Sequence, residues 1–298
     1  MKTLKPVAVH KAVLTNQVLE YLDPQPGKTY LDVTFGSGGH TRAILEKEPT
    51  CKVISMDWDT RAFELFAEPL VEEFGSRFTM LWGNFAHLYK SLKKAGIEKV
   101  DGVLADFGTS QVQISQRPGF SVYRDTPLDM RMSPAHQKLT AAEVLNKSSE
   151  EKLRELFFQL GEDRNSKLIA RAIIAERQKA KFRTTGQLVD LIDRVVPAKG
   201  RKIHPATKVF QALRIYVNDE LNNIQALLST SLSILNPEGR LVCISFHSLE
   251  DRIVKQFIVQ HKDQFENLTP RVVTAEPEEL RANPSARSAK LRAARIIG

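Results

Sequence analysis

Three glycines and two aspartates carry the chemistry that this sequence offers first. Leu31-Asp32-Val33-Thr34-Phe35-Gly36-Ser37-Gly38-Gly39-His40 reads as a buried strand that breaks into a glycine-rich turn and restarts as a helix. Glycines at 36, 38 and 39 permit positive φ and a close approach of backbone to a ligand. The helix that follows offers unpaired N–H groups and its positive dipole end to an anion, either a pyrophosphate or an amino-acid carboxylate. Tight strand-to-helix connections also use glycine for structure alone. Asp57 closes the next strand-like run about twenty positions on, where a carboxylate accepts hydrogen bonds from both hydroxyls of a ribose. Its other reading is a cap for the helix beginning near Thr60, a role for which Asp59 is better placed. Asp106, with Phe107 and Gly108, closes a further strand, and Asn84-Phe85 follows a third, where an amide and an aromatic ring suit a purine.

These residues need a frame, and the hydrophobic pattern supplies one. Apolar residues at helical spacing over 13–22 lead into a turn at Asp23-Pro24-Gln25-Pro26-Gly27 and a strand over 29–34. A helix to about Lys47 and a strand over 52–56 complete a βαβ unit. A helix over about 61–74, a strand over 78–82 and a strand over 100–104 continue it, which puts the candidate residues at the carboxyl ends of the strands. Beyond Gln113 the pattern becomes helical. Ser148 and Glu151 suggest a capping box, followed by helices over about 164–178, from Thr184 with Gln187, and from Pro205 toward Leu235 with a bend near Asn218. Pro237-Glu238-Gly239 reads as a turn before an apolar strand over 240–246. The expected fold is α/β, a doubly wound Rossmann-like sheet interrupted by an all-helical insertion. Its parts are 1–113 with 215–298, and 114–214.

Composition narrows the function classes. At 298 residues and 42% hydrophobic, the chain is an ordinary globular protein with a sizeable core. Its formal charge of +8 is concentrated: 164–183 holds seven basic residues and one acid, and 194–214 holds six and none. Concentrated positive charge is what contacts to a phosphate backbone require, although solvated helix faces also produce it. Cys51 and Cys243 sit in apolar runs and read as core thiols, which leaves neither a disulfide framework nor a cysteine-based zinc site. No apolar run reaches about 18 residues, so no membrane span is expected. Without a signal-like or transit-like N-terminus, a cytoplasmic location is expected. His247 and Glu250 lack a third ligand in sequence, so a helix-capping role is expected of them and no metal.

A dinucleotide fingerprint wants Gly-x-Gly-x-x-Gly, and here Thr41 stands where the third glycine would be. S-adenosylmethionine has no pyrophosphate and needs only the close backbone approach, so it fits the turn better; a nicotinamide oxidoreductase is the weaker reading. Several longer stretches then carry a resemblance. They are Thr34-Phe35-Gly36-Ser37-Gly38-Gly39-His40, Pro127-Leu128-Asp129-Met130-Arg131-Met132, Phe210-Gln211-Ala212-Leu213-Arg214, Val217-Asn218-Asp219-Glu220-Leu221, Ile244-Ser245-Phe246-His247-Ser248-Leu249-Glu250-Asp251-Arg252 and Arg287-Ser288-Ala289-Lys290-Leu291-Arg292.

With these motifs in order along nearly its whole length, the chain resembles the bacterial family of small-subunit ribosomal RNA (cytosine-N4)-methyltransferases, the MraW-like methyltransferase H family. The resemblance implies methyl transfer from S-adenosylmethionine to the N4 amine of a cytidine in the decoding region of 16S rRNA. It places cofactor contacts on Gly38, Gly39, His40, Asp57, Phe85, Asp106 and Gln113. Asp106 is the first candidate for accepting an N–H of the target amine, with Asp125, Asp129 and Asn218 as possible partners. Arg131, Lys208, Arg214, Arg287, Lys290 and Arg292 are candidate phosphate contacts, and Phe120 and Tyr123 candidates for stacking on a base. The expected partner is small-subunit rRNA or the assembled small subunit. The sequence departs from the family pattern at 109–112 and at Pro118, which keeps a second reading open: an RNA-binding ribosome assembly factor of the same fold that has lost turnover.

Overall fold

The structure is a computed structural model that describes residues 12–109, 114, 117–197 and 203–298. The chain forms two compact units, Met1–Ser110 with Leu221–Gly298, and Gln111–Glu220.

The first unit is built on an eight-stranded sheet. Its strands are β1 (Thr29–Asp32), β2 (Lys52–Asp57), β3 (Phe78–Trp82), β4 (Val100–Asp106), β5 (Leu235–Ser245), β6 (Phe265–Asn267), β7 (Val273–Thr274) and β8 (Lys290–Ile296). The order is β3-β2-β1-β4-β5-β8-β6, with β7 also paired to β8. β1 to β5 are mutually parallel, and β8 runs antiparallel to β5, β6 and β7. Successive side chains of a strand face opposite sides of a sheet, so a sheet covered by helices must be apolar at every position. Leu31, Val103, Leu241 and Cys243 accordingly join one core, while Tyr30, Leu104, Val242 and Ile244 join the core on the other face. The first of these cores also takes Ile224, Leu227 and Leu228, and the second takes Val18, Ile44 and Leu45. Both cysteines are free and buried, and burial pushes each thiol upward.

The helices that position the candidate residues follow the strands. α1 (Thr15–Leu22) precedes β1, and α2 (Gly39–Lys47) starts directly from the glycine turn. α3 (Thr60–Ala62) passes through a π turn at Phe63–Ala67 into α4 (Glu68–Phe74), and α5 (Leu88–Lys94) follows β3. Asp59 caps α3 by accepting the N–H of Arg61 at 3.1 Å, so Asp57 is not the cap.

The second unit is helical: α6 (Ala141–Lys147), α7 (Glu150–Gln159), α8 (Ser166–Arg177), α9 (Thr185–Val195) and α10 (Ala206–Asn218). Phe157, Ile169, Ile173, Leu188, Ile192, Val209 and Leu213 are among the buried residues of its single core. The chain reaches the first unit again through α11 (Glu220–Ile234), after Asp219 at φ 53° has broken the helix where the sequence suggested a bend.

Other readings are corrected. The cap of α7 is Ser149, whose hydroxyl accepts the N–H of Lys152 at 3.2 Å; the helix starts one residue later than a Ser148–Glu151 box requires. α6, not read from the sequence, carries its own box of Thr140 and Glu143, and the box of Thr184 and Gln187 forms as expected. Pro237-Glu238-Gly239 is an irregularity inside β5, with Glu238 at φ 64° and a register shift against Val100 and Gly102. β6, β7 and β8 were not read at all, because they are short or studded with cations.

Asn218 holds the second unit's longest loop in place. Its Oδ1 accepts the N–H of Met132 at 2.8 Å and the side-chain amide of Gln137 at 2.8 Å, and its Nδ2 donates to the carbonyls of Met130 and Arg214 at 2.8 Å. It is buried, so deleting it strands several polar groups out of reach of water. Asn218→Ala is expected to destabilise this unit by about 2–4 kcal/mol in urea unfolding, against less than about 0.5 kcal/mol for an exposed control such as Glu155→Ala on α7.

Candidate active site

The carboxyl ends of β1, β2 and β4 converge on the glycine turn, and a buried carboxylate underlies it. Asp32 ends β1 fully buried. Its Oδ1 accepts the N–H of Thr34 at 3.1 Å and faces the Thr34 hydroxyl at 3.4 Å; its Oδ2 accepts the Thr41 hydroxyl at 2.7 Å. Thr41 Oγ1 lies 2.7 Å from Ser55 Oγ on β2. Burial pushes the Asp32 carboxyl above its ordinary value, opposed by His40 and the hydrogen bonds from Thr41 and Thr34. Asp32, Thr41 and Ser55 were not singled out in the sequence; the signal was an acid inside a strand otherwise destined for burial on both faces.

Above this network the turn adopts the expected conformation. Gly36 has φ 55° and Gly38, the N-cap of α2, has φ 79°. A Cβ on Gly38 would sit 2.9 Å from the Phe35 ring, and one on Gly39 would sit 2.9 Å from the Cβ of Ala12. Side chains at Gly36 and Gly83, both at positive φ, would make only ordinary van der Waals contacts, each at 3.8 Å, with the Thr34 carbonyl oxygen and the Ser91 hydroxyl.

Asp57 ends β2 with both oxygens engaged by backbone: Oδ2 accepts the N–H of Gly36 at 2.9 Å, and Oδ1 that of Asp59 at 2.9 Å. The acid thus ties the tip of β2 to the turn, and each oxygen retains a second lone pair for a ribose hydroxyl. Burial raises its pKa to about 6, against the lowering effect of the two backbone donors. Phe85 opens a 3₁₀ turn, half-buried, its ring 6.2 Å from that of Phe107 and packed against the core; the Asn84 amide oxygen is used locally, on the N–H of Ala86 at 2.8 Å. Asp106 ends β4, its N–H donating to Thr34 Oγ1 at 2.7 Å. His40, buried at the start of α2, places Nε2 3.6 Å from Asp106 Oδ2. Gln113 lies outside the described residues, as do the departures at 110–112.

The basic candidates fare differently. Arg131 forms a two-pronged pair with Asp129 at 2.7 and 2.8 Å, and Arg214 another with Glu220 at 2.9 Å. Arg292, on β8, is buried and paired with Asp251 at 2.6 Å, and Lys290 lies 3.9 Å from the same acid. Lys208 donates to the Glu162 carbonyl at 2.7 Å. Arg287 is exposed. Asp125 anchors the N–H of Gly186 at 2.8 Å, which holds its carboxyl low. Asp129, Asp125 and Asn218 therefore serve local structure. Tyr123 is 81% exposed, edge-on to His204, whereas Phe120 is half-buried. Glu250 accepts the N–H groups of Phe246 at 2.7 Å and His247 at 3.2 Å, closing the start of α12 (Ser248–Gln260) as a capping residue.

The parallel order β3-β2-β1-β4-β5, extended by an antiparallel strand, with a glycine turn after β1 and acids ending β2 and β4, defines a Rossmann-like methyltransferase sheet. Residues 7–297 match the model of the MraW methylase family, and the chain belongs to that family. It is 45% identical to a protein named ribosomal RNA small subunit methyltransferase H from Bradyrhizobium diazoefficiens, over 96% of this chain and 91% of that one. A protein of the same name from Deinococcus deserti is 46% identical over 97% of this chain and 94% of its own, and one from Cyanothece sp. is 44% identical over 99% and 97%. The cofactor of the family is S-adenosylmethionine. The residues present fit it: Gly36 and Gly83 place backbone without a side chain beyond the ends of β1 and β3, and Asp106 Oδ1 is a buried acceptor with no hydrogen-bond donor among the described residues.

Burial brings the titration of the Asp57 carboxyl to about pH 6, and protonation would weaken it as an acceptor for a ribose hydroxyl by turning one of its oxygens into a donor. Affinity for S-adenosylhomocysteine, measured by titration calorimetry, is expected to hold at pH 8 and fall as pH drops through about 6. Asp57→Asn is expected to cost about 1.5–3 kcal/mol of that affinity at pH 8 and to flatten the pH dependence.

Proposed function

We propose that the chain methylates the exocyclic N4 amine of a cytidine in the decoding region of small-subunit ribosomal RNA, working in the cytoplasm on the RNA or the assembled subunit. The observation that carries this reading is Asp106: an acceptor oxygen without a donor among the described residues, at the end of β4 and beside the glycine turn, in a chain whose relatives are named for methylating that RNA.

Bound S-adenosylmethionine supplies a methyl group already activated by its sulfonium. The protein's task is then alignment and proton handling. A cytosine amine is a weak nucleophile because its lone pair is conjugated into the ring. Asp106 Oδ1, by accepting one N–H, would concentrate that lone pair on nitrogen for attack on the activated methyl and would take up the proton that the amine loses. Asp57 holds the ribose, and the turn at Gly36, Gly38 and Gly39 lets the backbone approach the methionine part. The helical unit, residues 114–214 in the sequence reading, recognises RNA through cations left exposed on it, among them Arg164, Lys167 and Arg183.

Small subunits from cells lacking the enzyme, incubated with labelled S-adenosylmethionine and this protein, are expected to yield N4-methylcytidine at one position. Asp106→Asn is expected to reduce the rate at least about 100-fold. Cofactor binding without transfer to any small subunit would favour the RNA-binding assembly factor.

A further inference from the structure

His40 is a histidine in an awkward place. It sits at the N-terminal end of α2, where the helix dipole disfavours a cation, and it is 95% removed from solvent with neither ring nitrogen within hydrogen-bond distance of an acceptor among the described residues. Opposite Nε2, at 3.6 Å, is Oδ2 of Asp106, whose other oxygen also lacks a donor. Asp106 is thus fixed at its backbone by the Thr34 hydroxyl, itself held by Asp32, and faces a single cationic partner at its carboxylate.

Resting on the methyltransferase reading above, we propose that the His40 side chain is a positioning residue rather than a cofactor contact: its ring holds Asp106 Oδ2, which fixes the rotation of the carboxylate and presents Oδ1 to the N–H that it accepts. A closure of a few tenths of an ångström converts the observed approach into a charge-assisted hydrogen bond. Asp32 on β1 and Glu279 on α13 (Pro277–Ala282) also act on this imidazole through their charge, so acids of three elements favour its protonated form. Burial works against its charged form, yet Asp106, Asp32 and Glu279 more than offset it, and the ring titrates above an ordinary histidine. The charged form of the histidine therefore persists to higher pH than in an ordinary imidazole and is lost as pH rises through its raised value. Loss of the charge withdraws the counter-ion of the Asp106 carboxylate and leaves at most a weaker, neutral hydrogen bond to hold its rotation.

Three readouts decide the matter. In wild type, the ring resonances of His40 are expected to titrate above the ordinary histidine value of about 6.5, and in Asp106→Asn the midpoint is expected to move down. An unmoved midpoint overturns the pairing, whether or not the protein transfers methyl groups. In kinetics, His40→Ala is expected to lower kcat about tenfold or more while affinity for S-adenosylhomocysteine stays within about twofold. His40→Gln, which keeps an N–H donor without a titrating charge, is expected to restore part of kcat and to remove the alkaline decline of the wild-type profile. The double variant His40→Ala with Asp106→Asn is expected to be no slower than Asp106→Asn alone. Cofactor affinity that falls in step with kcat, or additive losses in the double variant, would overturn the proposal by showing that His40 only supports the turn. A wild-type protein that transfers no methyl group defeats the methyltransferase reading instead, and the titration still decides the pairing.

Discussion

A single buried carboxylate, Asp32, is the constraint on which the site depends. Among the described residues it makes no ion pair and relies on one N–H and hydroxyl groups, in a setting where an ionised acid is costly. What it obtains in exchange is geometry. Through Thr34 it reaches the backbone of Asp106, and through Thr41 it reaches the first turn of α2 and Ser55 on β2. Three parallel strands and one helix are therefore referenced to the same two oxygen atoms. The turn above them, with Gly38 and Gly39 packed against Phe35 and Ala12, has little freedom to move independently of that reference.

In the helical unit the ordering principle is different. Its core is a large apolar cluster, and its loops are disciplined by polar side chains that reach back to main chain: Asn218 to the segment 130–132, Arg177 to the carbonyls of Leu145 and Ser148, and Asn146 to both main-chain groups of Phe182. Several of its cations are spent in this way or in close pairs with acids. A basic sequence is consequently not the same as a basic surface, and the part of the positive charge available to a polyanion is the part on solvent-facing helix positions.

That distinction marks the limit of what the sequence made legible. The βαβ start, the glycine turn, Asp57 and Asp106 could be read because their spacing is local: a strand period of two, a helix period of 3.6 and an acid at each strand's end. Arg131, Arg214 and Arg292 were assigned to phosphate because nothing in one dimension reveals that Asp129, Glu220 and Asp251 lie opposite them. Asp251 and Arg292 are far apart in sequence and adjacent only because β8 inserts beside β5. The same non-local pairing explains why β8 escaped notice: a strand over 290–296 with Lys290, Arg292 and Arg295 shows no clean alternation, since two of these cations are neutralised by partners on other elements. Phe85 illustrates the converse. Its type suggested a ligand, and its half-buried ring also leans on the core, so one aromatic face is fixed by packing that the sequence alone does not reveal.

The interruption of the sheet unit has a consequence for how the chain acquires its structure. Every residue of the helical unit precedes β5, and the parallel pairing of β4 with β5 joins Val100 to Leu235 across that whole stretch. During synthesis, emerging segments fold from the N-terminal side as soon as a cooperative unit is complete. The helices, rich in near-neighbour contacts, are therefore equipped to consolidate while the first four strands wait with an uncovered edge at β4. An early-folding insert then shortens the effective loop that β5 must close, turning a long excursion of loose chain into a tethered one. The sheet is completed only when β8 wedges between β5 and β6, which makes the arrival of residues 290–296 the event that seals the exposed strand edge.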